Sequence, residues 1–258
     1  MTKKKRLDHS AQELYPDYSR RQIQSWIMQG KVLVDGQPIT KSGAQISEGA
    51  IIVVNAQEPK FVSRAGFKLE KALDHFAIDV ADLIVLDAGI STGGFTDCLL
   101  QRGVKKVYGV DVGYGQIHEK IRFDQRVVVH ERTNLRELTS VGEFVDLITL
   151  DLSFISILKV MDAVSSMLRE DGYLITLIKP QFEARREDIC KGGLVKDPRV
   201  HQEVIEQVTR GVCAHGFTLV GVIESPIEGA TGNKEFLAYF RRTAPDGQVT
   251  APSEHVPQ

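Results

Sequence analysis

Several ionisable residues stand where apolar runs begin or end, so that a sheet edge can present them to a ligand. Asp87 follows Leu83-Ile-Val-Leu, Asp111 follows Val107-Tyr-Gly-Val, and Asp151 closes a run that starts near Phe144. Lys179 follows the run from Tyr173, and Glu235 precedes Phe236-Leu. Carboxylates so placed can hold hydroxyl and amine groups, and a lysine beside them can accept a proton or stabilise an oxyanion.

The stretch from Leu83 to Phe95 is the most specific. A strand ends in Asp87 and Ala88, turns through Gly89-Ile-Ser91-Thr92-Gly93-Gly94, and opens a helix at Phe95. Glycine there lets backbone pass close to a ligand or to a neighbouring element. The spacing G-x-x-x-G-G is not the dinucleotide fingerprint, and no Lys-Ser/Thr pair follows as in a phosphate loop. Asp87 at the strand end repels phosphate and suits an ammonium group. Asp111, 24 residues later, can take both hydroxyls of a ribose. A ligand with ribose, an amine and no phosphate is S-adenosyl-L-methionine. Val112 adjoins that acid, and Asn134, after the third strand, is placed to reach the adenine.

The acceptor is narrowed by what is missing. Methyltransferases acting on exocyclic amines carry Asp/Asn-Pro-Pro-Tyr/Phe where this chain has Asp151-Leu-Ser-Phe154. Methylation at a pyrimidine carbon needs a cysteine nucleophile. Cys98 and Cys213 fall in predicted helices, and only Cys190 is in a loop, with no proline before it. Oxygen is the remaining acceptor. Lys68 shares a predicted helix face with Lys71 and His75, so periodicity alone allows a solvated lysine or a functional one.

The elements that must position these residues read as α/β. Strands are predicted at 83–87, 106–111, 127–130, 144–151, 173–179, 218–224 and 235–241, with helices at 64–76, 94–102, 156–168 and 198–215. Alternation of this kind implies an open, largely parallel sheet, with ligands beyond the C-terminal strand ends. If the last strand runs antiparallel, Glu235 reaches that same edge. Residues 1–56 read as a helix over 19–29, a hairpin turning at Asp35-Gly36, and a strand at 51–54. A linker is expected at 57–62, the α/β domain at 63–243, and a disordered tail at 244–258.

Composition sets limits. The 258 residues are 42% hydrophobic and 26% charged, which excludes disordered, collagen-like and coiled-coil classes for the chain as a whole. Three cysteines without CxxC spacing fit a reducing, cytoplasmic setting. No apolar segment suits a membrane span or a signal peptide. No metal-ligand cluster appears among the seven histidines. The net charge of −2 is uneven: residues 1–60 hold nine basic and six acidic side chains. A basic head suits a polyanion. Candidate phosphate contacts are Lys3, Lys4, Lys5, Arg6, Arg20, Arg21, Lys31 and Lys41. Arg185, Arg186 and Lys191, in a glycine-bearing loop after Lys179, are candidates for a mobile RNA-gripping segment.

Lys68, Asp151, Lys179 and Glu235, taken in order, resemble the Lys-Asp-Lys-Glu tetrad of FtsJ-type RNA ribose 2′-O-methyltransferases. Six stretches are similar to the TlyA family, whose members often carry the name hemolysin. They are Phe61–Leu69, Asp87–Asp97, Asp151–Ser156, Lys179–Glu183, Lys191–Val195 and Gly232–Phe236. Ala65 departs from the glycine expected there. Residues 1–55 resemble the RNA-binding module named after ribosomal protein S4. The resemblance implies a Rossmann-like S-adenosylmethionine-dependent methyltransferase sheet with a small α+β RNA-binding domain at the N-terminus. It implies methyl transfer to a ribose 2′-hydroxyl, of cytidine in ribosomal RNA, free or in subunits. Ser63, in the first of those stretches, joins the turn residues as a cofactor contact. Lys179 is then the central group, as base or as alkoxide stabiliser, with Asp151 and Glu235 flanking it and Lys68 steering the ribose or its phosphate. No metal is needed. Rival readings are a non-catalytic RNA-binding protein, a small-molecule O-methyltransferase and a membrane-active hemolysin.

Overall fold

A computed structural model describes residues 4–55 and 59–243. Two compact units divide between Lys60 and Phe61. Lys3 and the tail expected from 244 lie outside the described residues.

The first unit begins with β1 (Lys4–Arg6), α1 (Leu7–Leu14) and α2 (Arg20–Met28). It continues with β2 (Val32–Val34), β3 (Gln37–Pro38), β4 (Gln45–Ser47) and β5 (Ile52–Val54). Ser19 starts α2 with a reciprocal capping box to Gln22. Asp35 and Gly36 both take positive φ, as the tight β2–β3 turn requires. Strands pair as β3-β2-β5 and as β1-β4. Leu7, Ala11, Ile23, Trp26 and Ile27 from the helices close a core over Val32, Val34, Ile46 and Ile52. The sequence pattern had omitted β1, α1 and β4. The two strands have only three residues each and the helix eight, too few to show a period.

The second unit opens with α3 (Ala65–His75), β6 (Ile84–Ala88), α4 (Gly94–Gln101), β7 (Lys106–Val110), α5 (Glu119–Arg122) and β8 (Val127–His130). There follow β9 (Val145–Leu150), α6 (Met161–Met167), β10 (Leu168–Ile178), α7 (Pro180–Glu183), α8 (Pro198–Cys213), β11 (Phe217–Glu224) and β12 (Phe236–Arg242). All seven predicted strands are present. Leu168, read as a helix end, instead starts β10, and the register is irregular between it and Tyr173. Phe61 and Val62, assigned to a linker, belong to this unit. Phe61 is buried against α3, and Val62 N donates to the Asp97 carboxylate at 2.8 Å.

The sheet runs β11-β12-β10-β9-β6-β7-β8. Pairs β10–β9, β9–β6, β6–β7 and β7–β8 are parallel, and β12 is antiparallel to both its neighbours. One apolar cluster holds α6 and α8 against the sheet, and a second holds α3 and α4. Chain order reverses between β6 and β9, so a crevice opens at the ends of these strands. Because β12 is reversed, Ile178 pairs with Phe236, which sets Glu235 beside Lys179 at that same edge. Among the described residues no helix is long and apolar enough to cross a membrane.

Candidate active site

Three cavities adjoin beyond the C-terminal strand ends, and Asp151 lines all of them. The first, of 440 Å³, is bounded by Gly89, Ser91, Asp111, Val112 and Asn134, with Leu135, Leu152, Ile155 and Val160 as an apolar wall. Asp111 is held by backbone: Ser91 N donates to Oδ2 at 2.9 Å and Gly113 N to Oδ1 at 2.7 Å. Each carboxylate oxygen keeps a lone pair for a vicinal diol. Asn134 lines the wall, but its amide caps a following 3-10 turn: Oδ1 accepts from Arg136 N, and Nδ2 donates to Glu137. This cavity has two carboxylates and no lysine or arginine in its lining. That donor set rejects a phosphate and suits a cationic nucleoside, so the residues fit S-adenosylmethionine.

A narrow cleft of 70 Å³ joins this cavity to Ser63, Thr92, Gly94 and Phe95. Two glycines make the junction close. At Gly89, with φ +85°, a Cβ would stand 2.6 Å from the Asp151 carbonyl oxygen. At Gly94 a Cβ would meet Ser63 Oγ at 2.2 Å. Gly89 thus lets its backbone reach the Asp151 carbonyl while also lining two of the cavities. Gly93, with φ +99°, is the cap of α4 and packs on Ile121 instead of lining the cavities.

Asp87 and Ala88, expected to touch the cofactor, are fully buried in β6 and are not among the residues lining these cavities. Asp87 lies beneath the turn because its rim positions are taken by Gly89 and Ser91. Thr96 Oγ1 donates to its Oδ2 at 2.6 Å, and Thr149 Oγ1 to its Oδ1 at 2.8 Å. Burial raises this carboxyl to about 6, against the opposing effect of the two hydroxyls. Asp87 therefore braces α4 and β9, the elements on either side of the turn. The threonines give no sequence signal beyond being polar residues among apolar ones.

The third cavity, also 440 Å³, holds the tetrad. Lys179 Nζ lies 2.6 Å from Asp151 Oδ1, and Lys68 Nζ lies 2.5 Å from Glu235 Oε2. All four side chains are largely buried. Lys68, ambiguous by periodicity, faces inward. Lys179 also donates to Ser153 Oγ at 3.1 Å. Ser153 and Phe154, within the Asp151–Ser156 stretch, carry no role that sequence pattern alone assigns. Phe154 takes φ +65°, is 89% exposed, and has its ring 5.1 Å from that of Phe182. A bulky residue in that backbone region marks a constrained position at the lip shared by two cavities.

The basic candidates divide. Arg6 Nε and Nη2 each donate to buried Asp8 at 3.0 Å, and Arg20 Nη2 donates to it at 3.0 Å. These contacts hold the Asp8 carboxyl well below the usual range, while both guanidiniums stay nearly half exposed. Lys5 pairs loosely with Glu13 at 3.4 Å. Lys4, Arg21, Lys31, Lys41, Arg185, Arg186 and Lys191 are exposed.

The sheet order, the cofactor cavity and the lysine–acid pairs define a Rossmann-like methyltransferase. The chain belongs to the FtsJ-like methyltransferase family, whose model matches residues 61–242, and an S4 domain model matches residues 5–52. It is 44% identical over 226 residues to the 16S/23S rRNA (cytidine-2′-O)-methyltransferase TlyA of Mycobacterium tuberculosis, covering 86% of this chain and 84% of that protein. It is 43% identical over 225 residues to Hemolysin A of Brachyspira hyodysenteriae, covering 86% and 93%. A solved structure of a hemolysin-named protein from Streptococcus thermophilus superposes with TM-score 0.72 at 38% identity, covering 94% of this chain and 90% of that one. The enzyme is an S-adenosylmethionine-dependent methyltransferase.

Proposed function

We propose that this enzyme methylates the ribose 2′-oxygen of a cytidine in ribosomal RNA, presented by a ribosomal subunit in the cytoplasm. The observation that carries this is the meeting of two buried lysine–carboxylate pairs in one cavity, joined through Asp151 to the cofactor cavity. S-adenosylmethionine supplies an electrophilic methyl group on its sulfonium when bound. Asp111 orients the ribose end, and the apolar wall from Leu135 to Val160 takes the adenine. A ribose hydroxyl is a weak nucleophile, so the chain must place it and take charge of its proton. Asp151 and Ser153 fix Lys179 at the cavity floor, and the Lys179 ammonium stabilises the alkoxide character that develops on oxygen. The hydroxyl gives up its proton late in the transfer, to the Asp151 carboxylate that lines the same cavity beside Lys179. Lys68, itself held by Glu235, adds a second positive group to the acceptor wall. Phe154 offers a face on which the acceptor base can stack. The S4 unit holds structured RNA through phosphate contacts from Lys4, Lys5, Arg6, Arg20, Arg21, Lys31 and Lys41.

The test uses methyl-labelled cofactor and unmodified ribosomal subunits, followed by alkaline hydrolysis of the RNA. A 2′-O-methyl group blocks cleavage at its own position, so label is expected in alkali-resistant dinucleotides and is expected to vanish in Lys179→Ala. Label in mononucleotides would move the acceptor from ribose to base.

A further inference from the structure

The acceptor cavity is built from four loops, and two side chains outside the tetrad fasten those loops in pairs. We infer that Glu183 and Asn233 are positioning residues for methyl transfer, acting as cross-links that register the loops bearing Asp151, Lys179 and Glu235. The inference rests on the proposed role of the tetrad.

Glu183 ends α7, the turn that follows Lys179. Its Oε1 accepts from Ile157 N at 2.8 Å, and the Ser156 hydroxyl stands against the same carboxylate. Ser156 and Ile157 end the loop that starts at Asp151. The loops of the Lys179–Asp151 pair are therefore tied at both ends, by the ion pair and by this bond. Burial raises the Glu183 carboxyl. A single acceptor atom suffices for the link, which glutamine also supplies.

Asn233 is 1% exposed and stands two residues before Glu235. Its Nδ2 donates to Gly193 O at 2.8 Å and to Thr231 Oγ1 at 3.0 Å, and its Oδ1 accepts from Val195 N at 2.9 Å. Buried His201 completes the grip on Val195 O through Nε2 at 2.8 Å. The basic loop is thus anchored at its glycine end, and Gly193 forms part of the acceptor wall beside Thr231 and Glu235. Two donors and one acceptor are all engaged, a pattern that only an amide side chain satisfies here.

The physical consequence is steep. A reacting hydroxyl displaced by about 1 Å loses roughly a hundredfold in rate even when every reacting group is present. The partners of Asn233 lie outside the lining of the cofactor cavity, whereas the loop tied by Glu183 lines both cavities, with the ends of β6 and β7 closing the far side of the cofactor cavity.

The test compares Glu183→Ala, Glu183→Gln, Asn233→Ala and Asn233→Asp in the full chain. Single-turnover transfer to ribosomal subunits is measured beside S-adenosylmethionine binding by calorimetry and thermal unfolding. Asn233→Ala is expected to lose about tenfold or more in rate with cofactor affinity within about twofold of wild type, and Glu183→Ala, whose loop lines both cavities, to lose about tenfold or more in rate with a smaller loss of affinity. Glu183→Gln is expected to recover most of the rate. Asn233→Asp is expected to stay impaired, since a carboxylate cannot donate to Gly193 O. Wild-type rates in both alanine variants would overturn the inference, as would losses matched by weakened cofactor binding with no rescue by glutamine. Lys179→Ala run alongside separates the two levels: if it transfers methyl normally, the tetrad reading itself has failed.

Discussion

Replacing Asp87 by asparagine should change the pH dependence of stability in a calculable way. The Asp87 carboxyl rises from its ordinary 3.8 to about 6 because it is wholly buried, despite hydrogen bonds from Thr96 and Thr149. Below about pH 4 it is protonated in folded and unfolded chains alike, and its burial carries no charge penalty. Between about pH 4 and 6 the unfolded chain gives up the proton while the folded one retains it, so stability falls as pH rises. Above about pH 6 both forms are ionised and the penalty is constant. Two pH units at about 1.4 kcal/mol each make it roughly 3 kcal/mol. Asparagine does not titrate and still accepts one of the two threonine bonds. Its changed hydrogen bonding adds an offset that is the same at every pH. The unfolding free energy of Asp87→Asn minus that of wild type should therefore widen by roughly 2–3 kcal/mol from pH 4 to pH 7. Urea unfolding followed by circular dichroism measures this directly. Trp26 fluorescence would not serve, because Trp26 belongs to the first unit's core. A difference that stays flat across that range would refute the reasoning, since it would mean that the folded chain ionises Asp87 as readily as the unfolded one.

Three further outcomes are expected. Lys68→Met leaves the buried Glu235 carboxylate without its cationic partner and should destabilise the second unit by about 3–5 kcal/mol. The double variant with Glu235→Leu should regain most of that stability in the same unfolding assay without regaining methyl transfer. Gly89→Ala sets a Cβ against the Asp151 carbonyl at a positive φ, and calorimetry should show weaker cofactor binding together with a melting point lower by several degrees. Arg20→Ala should weaken RNA binding and reduce the slope of log affinity against log salt by about one, leaving cofactor affinity intact. An unchanged slope would remove Arg20 from the interface.

Much of the site was legible because its chemistry sits at strand ends. Asp111, Asp151 and Lys179 each follow an apolar run, and a parallel sheet delivers such positions to one edge whatever the details of packing. The glycine turn was legible as a turn, but the reason for each glycine was not. Gly89 answers to the Asp151 carbonyl and Gly94 to Ser63, contacts that span tens of residues. Lys68 could not be assigned from its helix, since its inward direction depends on Glu235 arriving 167 residues later. The burial of Asp87 has the same origin: β6 runs on to Ala88, and the strands and helix packed around it decide that Asp87 lies inside the sheet.

The sequence by itself determined the α/β order, the two units, the G-x-x-x-G-G turn and the strand-end positions of Asp111, Asp151 and Lys179. Those follow from local pattern and residue type. Tertiary structure alone decided that β12 runs antiparallel, so that Glu235 joins Lys68, and that Asp87 supports the turn from below. It alone showed Glu183 and Asn233 as links between loops. Such contacts join residues tens of positions apart in the chain, and hydrogen bonds and burial between distant segments leave no periodic trace in the sequence.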